Sequence, residues 1–261
     1  MAHRAKKHLG QNFLKSKVVV AKMVAAADIL EGDVVLEIGP GKGVLTEALL
    51  QTGCVVVAIE KDRELLPLLQ EKFQKEIAAN KLHLIEDDIL QFSPEKNTLL
   101  SHGYKLVANI PYYITGEILE KFLSNQHAPS CAVLLVQKEV AQRVVARDGR
   151  ESILSISVKA FGTPKIVTAV PKKYFSPAPK VDSAVLLINN ITKNNFKDMS
   201  EKRFFEIVKT GFAHKRKVLT SNLSSLFPKE TLGAFFKEHG RPLSVRAEEL
   251  SLSDWLSLSR R

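Results

Sequence analysis

The 261-residue chain has only two cysteines, Cys54 and Cys131, too few for a disulfide framework or a zinc site built on paired thiols. Each opens an apolar run, Cys54-Val-Val-Val-Ala-Ile59 and Cys131-Ala-Val-Leu-Leu-Val136, where a small reduced side chain suits a buried strand. Long hydrophobic runs are also missing. None approaches the roughly 18–20 apolar residues that cross a bilayer. The first residues, Met1-Ala-His-Arg-Ala-Lys-Lys-His8, are basic and lead into Leu-Gly-Gln-Asn without the apolar core of a signal peptide. We therefore expect a soluble cytoplasmic protein with no membrane partner. Acid is in short supply: 28 Asp and Glu face 38 Lys and Arg, a net charge of +10. The excess gathers at Arg4, Lys6 and Lys7 and again at Lys215, Arg216 and Lys217. Such clusters favour phosphate backbones through counterion release, with a solvated helix face as the alternative. No repeat or low-complexity tract occurs, no metal-ligand set stands out, and no exposed apolar repeat calls for more than a monomer.

With 45% hydrophobic and 25% charged residues, the chain can still bury a sizeable core. Strand-length apolar runs at 33–38, 55–59, 82–85, 105–108 and 132–136 alternate with helical stretches at 45–50, 63–78 and 116–123. That alternation predicts an α/β fold, a parallel sheet with helices on both faces. Runs at 166–170 and 184–188 would complete the sheet. The polar, turn-rich segment Asn189–Asp198 marks a boundary. We place one domain at 1–190 and a small all-helical domain at 191–261, its last helix opened by a Ser251–Asp254 capping box.

After the first strand comes Glu37-Ile-Gly39-Pro-Gly41-Lys-Gly43, and Glu60 ends the second strand. Glycines let a backbone turn tightly beside a ligand, and a carboxylate at the next strand end can accept from two ribose hydroxyls. The dinucleotide spacing G-x-G-x-x-G is not kept, because the third glycine comes one residue early. Pro40 supplies no N–H, and negative charge on Glu37 would repel a phosphate. The loop favours a cationic sulfonium cofactor, S-adenosylmethionine; a turn that needs glycine only for its shape is the alternative. Asp88 follows the third strand and can accept from an adenine amine, unless it belongs to a solvated acidic loop.

Asn109-Ile-Pro111-Tyr112 follows the fourth strand at the ligand-binding edge of such sheets. An adenine amine is a poor nucleophile because its lone pair is delocalised into the ring. Two acceptors, the Asn109 side-chain oxygen and the Ile110 carbonyl, can hold its hydrogens and aim the lone pair. Pro111 fixes the backbone and Tyr112 can stack on the base. In Phe175-Ser-Pro-Ala-Pro-Lys-Val-Asp-Ser183 two prolines set the loop path. The Phe175 ring either sandwiches a flipped base against Tyr112 or plugs the core.

Taken together, His8–Leu14, Glu37–Thr46, Glu60–Asp62, Asn109–Tyr112, Val136–Ala141, Phe175–Ser183 and Arg246–Ser251 run in order along nearly the whole chain. In this the chain resembles the KsgA/RsmA family, the small-subunit ribosomal RNA adenine dimethyltransferases. The resemblance implies a Rossmann-like S-adenosylmethionine-dependent methyltransferase sheet with an antiparallel last strand and a helical C-terminal domain contributing to RNA binding. It implies that Gln11, Asn12 and Leu14 cover the cofactor, that Gly39 and Gly41 line it, that Glu60 takes the ribose and Asp88 the adenine. Asn109 would serve both sites, with Pro111, Tyr112 and Phe175 completing the catalytic set. The implied activity is dimethylation of two adjacent adenosines near the 3′ end of 16S ribosomal RNA in the 30S subunit during ribosome biogenesis. The family commonly has Leu where this chain has Ile110; a main-chain role would survive that change. The alternatives are a large-subunit adenine methyltransferase and a non-catalytic ribosome-assembly factor.

Overall fold

The computed structural model describes residues 5–6 and 9–261. By packing, the chain forms two compact units: residues up to Ala141 with Thr163–Ile191, and Gln142–Gly162 with Thr192–Arg261.

In chain order the elements are β1 (Phe13–Leu14), α1 (Lys17–Ala26), β2 (Val34–Ile38), α2 (Val44–Leu50), β3 (Val55–Glu60), α3 (Leu66–Lys72), α4 (Gln74–Ala78) and β4 (Leu82–Glu86). Next come β5 (Lys105–Asn109), α5 (Thr115–Leu123), β6 (Ala132–Gln137), α6 (Lys138–Val145), α7 (Ile153–Lys159), β7 (Thr163–Val170), β8 (Phe175–Ser176) and β9 (Ser183–Asn189). Four helices end the chain: α8 (Glu201–Gly211), α9 (Leu219–Asn222), α10 (Lys229–Glu238) and α11 (Leu252–Ser259).

The first unit is built on a seven-stranded sheet of order β4-β3-β2-β5-β6-β9-β7. The five strands from β4 to β6 are parallel, and β9 runs antiparallel to both β6 and β7. Apolar residues on consecutive strand positions, such as Val35 and Leu36 or Val56, Val57 and Ala58, are all fully buried. Strands buried on both faces need no polar alternation, which is why they read as continuous apolar runs. β2 has β3 on one side and β5 on the other, so the connections leaving these strands diverge and open a crevice at their carboxyl ends. A separate ribbon pairs β1 with β8, Leu14 opposite Phe175. The stretch expected as one helix over 63–78 is two, α3 and α4. It breaks at Phe73, whose backbone leaves helical geometry as its ring enters the core.

The second unit is helical, as expected. Trp255 is fully buried and stacks on Phe212 with ring centroids 5.5 Å apart. Phe161, Phe196, Phe204 and Phe205 form a second ring cluster. The Ser251–Asp254 capping box forms in both directions. The packing differs from a single cut at 190/191 in one segment. Residues 142–162, including α7, belong with this unit because Glu151 N–H donates to Glu248 O and Thr192 N–H to Phe161 O. Cys54 and Cys131 are both buried free thiols. Among the described residues no helix is long and apolar enough to cross a membrane.

Candidate active site

The carboxyl ends of four parallel strands and the segment before β1 supply the polar residues of one cavity of about 170 Å³. Its walls include Gln11, Asn12 and Leu14, the loop Glu37–Lys42, Glu60, Asp88 and the turn Asn109–Ile114. All eight residues expected to bind the cofactor are therefore brought together, with Pro111 and Tyr112 beside them.

β2 delivers Glu37, 1% exposed, with its Oε2 lacking a hydrogen-bond partner among the described residues. Burial pushes its carboxyl up to about 8, and the neighbouring Glu60 charge adds to the rise. The negative charge expected beside the loop is thus latent. Near pH 7 the group holds its proton, and a cation in the cavity would favour its release. The loop then turns through Gly39 and Gly43, at φ +63° and +74°. A Cβ on Gly39 would meet nothing within 4 Å, whereas one on Gly43 would lie 2.5 Å from the Phe73 ring. Gly39 belongs to the cavity wall and Gly43 to the core.

At the end of β3, the Gly41 and Asp62 amides donate to the two Glu60 carboxylate oxygens at 3.1 and 2.8 Å. Burial raises the Glu60 pKa, and these amides oppose the rise. A carboxylate so held keeps lone pairs for hydroxyl donors. Asp88 accepts from Lys61 Nζ at 2.7 Å and from the Leu90 amide at 3.0 Å. The Lys61 ammonium holds its carboxyl below the usual range, so it stays an acceptor.

The wall formed by residues 9–14 is tied down by a residue the sequence reading had not singled out. Asp62, 2% exposed, accepts from Lys6 Nζ at 2.6 Å and from Gln11 Nε2 at 2.7 Å. Gln11 Oε1 in turn accepts the Lys6 amide at 2.8 Å. Gln11 therefore lines the cavity with both ends of its amide spent on protein. Lys6, expected to grip RNA, is committed here to Asp62 and, at 3.0 Å, to Glu64. Arg4 and Lys7 lie outside the described residues. Asn12 Nδ2 donates to the Gly10 carbonyl, and the Asn12 carbonyl accepts from Asn109 Nδ2 at 3.1 Å. That bond fixes the orientation of the Asn109 amide. Its Oδ1 has no donor among the described residues and is the free acceptor at the carboxyl end of β5.

Pro111 follows with φ −59° and ψ 132° and turns the chain into Tyr112, whose hydroxyl lies 2.6 Å from Ser183 Oγ. Burial pushes the phenol pKa above its ordinary value, so it stays neutral. Tyr113, 60% exposed, also borders the cavity. Phe175 is placed otherwise than a base clamp requires. It is 2% exposed, packed in the core and paired with Leu14 through β1 and β8, and it is not on the cavity wall. Of its two readings the structure supports the core plug. Lys215, Arg216 and Lys217 are exposed on a loop between α8 and α9 rather than on a helix face. Asn222 Nδ2 braces that loop by donating to the Gly211 and His214 carbonyls.

Sequence reasoning passed over Asp62, Ser183 and Tyr113. The first two close the stretches Glu60–Asp62 and Phe175–Ser183, so position at the end of a motif was the available signal. The cavity offers carboxylates for hydroxyls, an amine and a cation, and among its described residues no histidine or cysteine. It suits a cationic nucleoside better than a polyphosphate.

The family model described as ribosomal RNA adenine dimethylase matches residues 2–261. A Dehalococcoides mccartyi protein named ribosomal RNA small subunit methyltransferase A is 40% identical over 257 residues, spanning 98% of this chain and 87% of its own length. Among solved structures, a dimethyladenosine transferase from Plasmodium falciparum superposes with a TM-score of 0.80 at 28% identity, covering 94% of this chain and 95% of its own. The 23S rRNA methyltransferase ErmE gives a TM-score of 0.79 at 24% identity, covering 95% and 98%, and shares the fold.

Proposed function

The chain belongs to the ribosomal RNA adenine dimethylase family, and from that premise we propose that it dimethylates the exocyclic amines of two adjacent adenosines near the 3′ end of 16S ribosomal RNA. The donor is S-adenosylmethionine, the substrate is the 30S subunit, and the enzyme works as a cytoplasmic monomer in ribosome biogenesis. Residues 1–190 carry the chemistry, and 191–261 contribute to holding the RNA through Lys215, Arg216 and Lys217.

One observation carries this reading: Asn109 Nδ2 is committed to the Asn12 carbonyl, so the amide meets an incoming amine with its oxygen. A group that only accepts is what an amine with a delocalised lone pair requires. Asn109 Oδ1 takes one hydrogen of the target amine and the Ile110 carbonyl takes the other, drawing the nitrogen toward tetrahedral geometry. The Ile110 side chain is 2% exposed, which fits a role confined to its main chain. No base removes a proton before transfer; the methylated nitrogen is acidic enough to lose one afterwards. Tyr112 stacks on the base, and Phe175 supports the ribbon behind Leu14. Glu60 takes ribose hydroxyls, Asp88 the cofactor adenine, and Glu37 the positive charge. The bound cofactor supplies an electron-poor methyl group. Catalysis is then chiefly orientation, which in well-aligned systems contributes about 7–11 kcal/mol.

The small-subunit substrate is preferred to the large-subunit one because the relatives at 40% identity carry the small-subunit name, whereas ErmE is 24% identical. An assembly factor without chemistry would have no use for an oriented Asn109. The test is incubation with labelled methyl donor and unmethylated small subunits, followed by nucleoside analysis. Dimethyladenosine at adjacent positions is expected. Label confined to large-subunit RNA, or none at all, would overturn the proposal. Asn109→Ala should keep its fold and lose turnover by roughly 100-fold or more, the order seen when one oriented polar group is removed.

A further inference from the structure

We infer that Ser183 is a positioning residue for the target base, acting through Tyr112: its buried hydroxyl pins the phenol so that the long axis of the stacking ring has one direction before RNA arrives. The inference rests on the base-stacking role of Tyr112 given above. A tyrosine's phenol oxygen lies on the long axis of its ring, so holding both ends fixes the direction of that axis and the place of the ring in the site. At the near end Pro111 sets the backbone, with φ −59°, immediately before Tyr112. At the far end Tyr112 Oη and Ser183 Oγ are 2.6 Å apart.

The far anchor is a rigid one. Ser183 is fully buried and begins β9, where Gln137 of β6 and Val170 of β7 flank it in register. It cannot follow the ring without moving three strands. Its hydroxyl has no other side-chain hydrogen bond among the described residues, so a ring swinging toward solvent would strand a buried polar group. Such groups are rarely left unpaired. The base must therefore come to the ring. Burial also keeps the phenol protonated through the neutral range, which preserves the bond.

The pin gives the Phe175–Ser183 loop a contribution to the site that the buried Phe175 ring does not make. The loop ends on the residue that holds Tyr112, and the two motifs meet through one hydrogen bond between positions 71 apart.

The experiment is a double-mutant cycle of Ser183→Ala and Tyr112→Phe, reading single-turnover methylation of unmethylated small subunits at saturating donor. Each single variant should slow transfer roughly three- to tenfold, the worth of one ordinary hydrogen bond. The double variant should be no slower than the slower single, since both delete the same bond. Ser183 is not on the wall of the donor's cavity, so Ser183→Ala should leave the KM for the methyl donor within about twofold of the parent. Losses that multiply in the double variant, or wild-type transfer in either single, would overturn the inference. An activity-independent reading uses fluorotyrosine-labelled protein, in which Ser183→Ala should shift or broaden the Tyr112 resonance; an unchanged resonance would equally overturn it. Tyr112→Phe leaves the sheet untouched and keeps the test decisive if Ser183→Ala does not fold. Failure of the unaltered enzyme to methylate any subunit would instead fall on the proposed function, and the resonance would still report on the pin.

Discussion

The same substitution, Gly→Ala, made at Gly39 and at Gly43 should separate ligand binding from stability in a loop five residues long. Both glycines have positive φ, +63° and +74°. A residue with a Cβ there costs about 1–2 kcal/mol in backbone strain alone. At Gly39 nothing lies within 4 Å of the added methyl, so strain is the whole effect on folding. At Gly43 the methyl would sit 2.5 and 2.8 Å from Phe73 Cε2 and Cζ and 3.1 Å from Leu69 Cδ2. Phe73 and Leu69 are 3% and 2% exposed and have no free space to retreat into. Overpacking of that kind adds about 1–3 kcal/mol. Gly43→Ala should therefore lose about 2–5 kcal/mol, against about 1–2 kcal/mol for Gly39→Ala. Ligand binding should show the reverse order. Gly39 is on the cavity wall and Gly43 is not, so the methyl at 39 occupies space a cofactor must use. Urea unfolding with and without S-adenosylmethionine measures both properties. A ligand at 100 times its Kd stabilises a folded protein by about 2.7 kcal/mol. The parent and Gly43→Ala should gain that amount and Gly39→Ala much less. Equal stabilities for the two variants, or full ligand stabilisation of Gly39→Ala, would refute this account of the loop.

Three further outcomes follow. Asp62→Ala removes the carboxylate that holds both Lys6 Nζ and Gln11 Nε2, so the KM for the methyl donor should rise about fivefold or more; steady-state kinetics on saturating subunits would show an unchanged KM if the wall is held by something else. Glu37 has an ordinary pKa of 4.5 raised to about 8 in the fold. The folded protein thus keeps a proton that the unfolded chain gives up, and stability is greatest below about pH 4.5 and declines until about pH 8. Glu37→Gln should remove that slope and, in urea titrations, exceed the parent in stability at pH 9 while matching it near pH 4. Reversing the charge of Lys215, Arg216 and Lys217 should weaken small-subunit binding and lower the slope of log affinity against log salt by up to about 3; an unaltered slope would take the loop out of the RNA interface.

The strand runs at 33–38, 55–59, 105–108 and 132–136 were legible because burial on both faces leaves a continuous apolar signature. The cavity residues were legible for a related reason. In a parallel sheet each strand's carboxyl end lies on one edge, so Glu37, Glu60, Asp88 and Asn109, each at or just past a strand end, had to converge. The break at Phe73 was not legible. Periodicity favours one helix, and only the packing of that ring against Gly43 interrupts it. The grouping of 142–162 with the C-terminal helices was hidden for the same reason, since their partners, Glu248 and Thr192, lie far along the chain.

The fold class, the ligand edge and the chemistry of an acidic, acceptor-rich cavity are thus written into local pattern and strand order. That Gln11 serves Asp62, that Lys6 is neutralised, that Phe175 fills the core and that Ser183 holds Tyr112 follows from packing alone. The Lys6–Asp62, Gln11–Asp62 and Tyr112–Ser183 bonds join residues 56, 51 and 71 positions apart. Distances across a fold depend on how helices and strands pack, and no spacing along the chain encodes them.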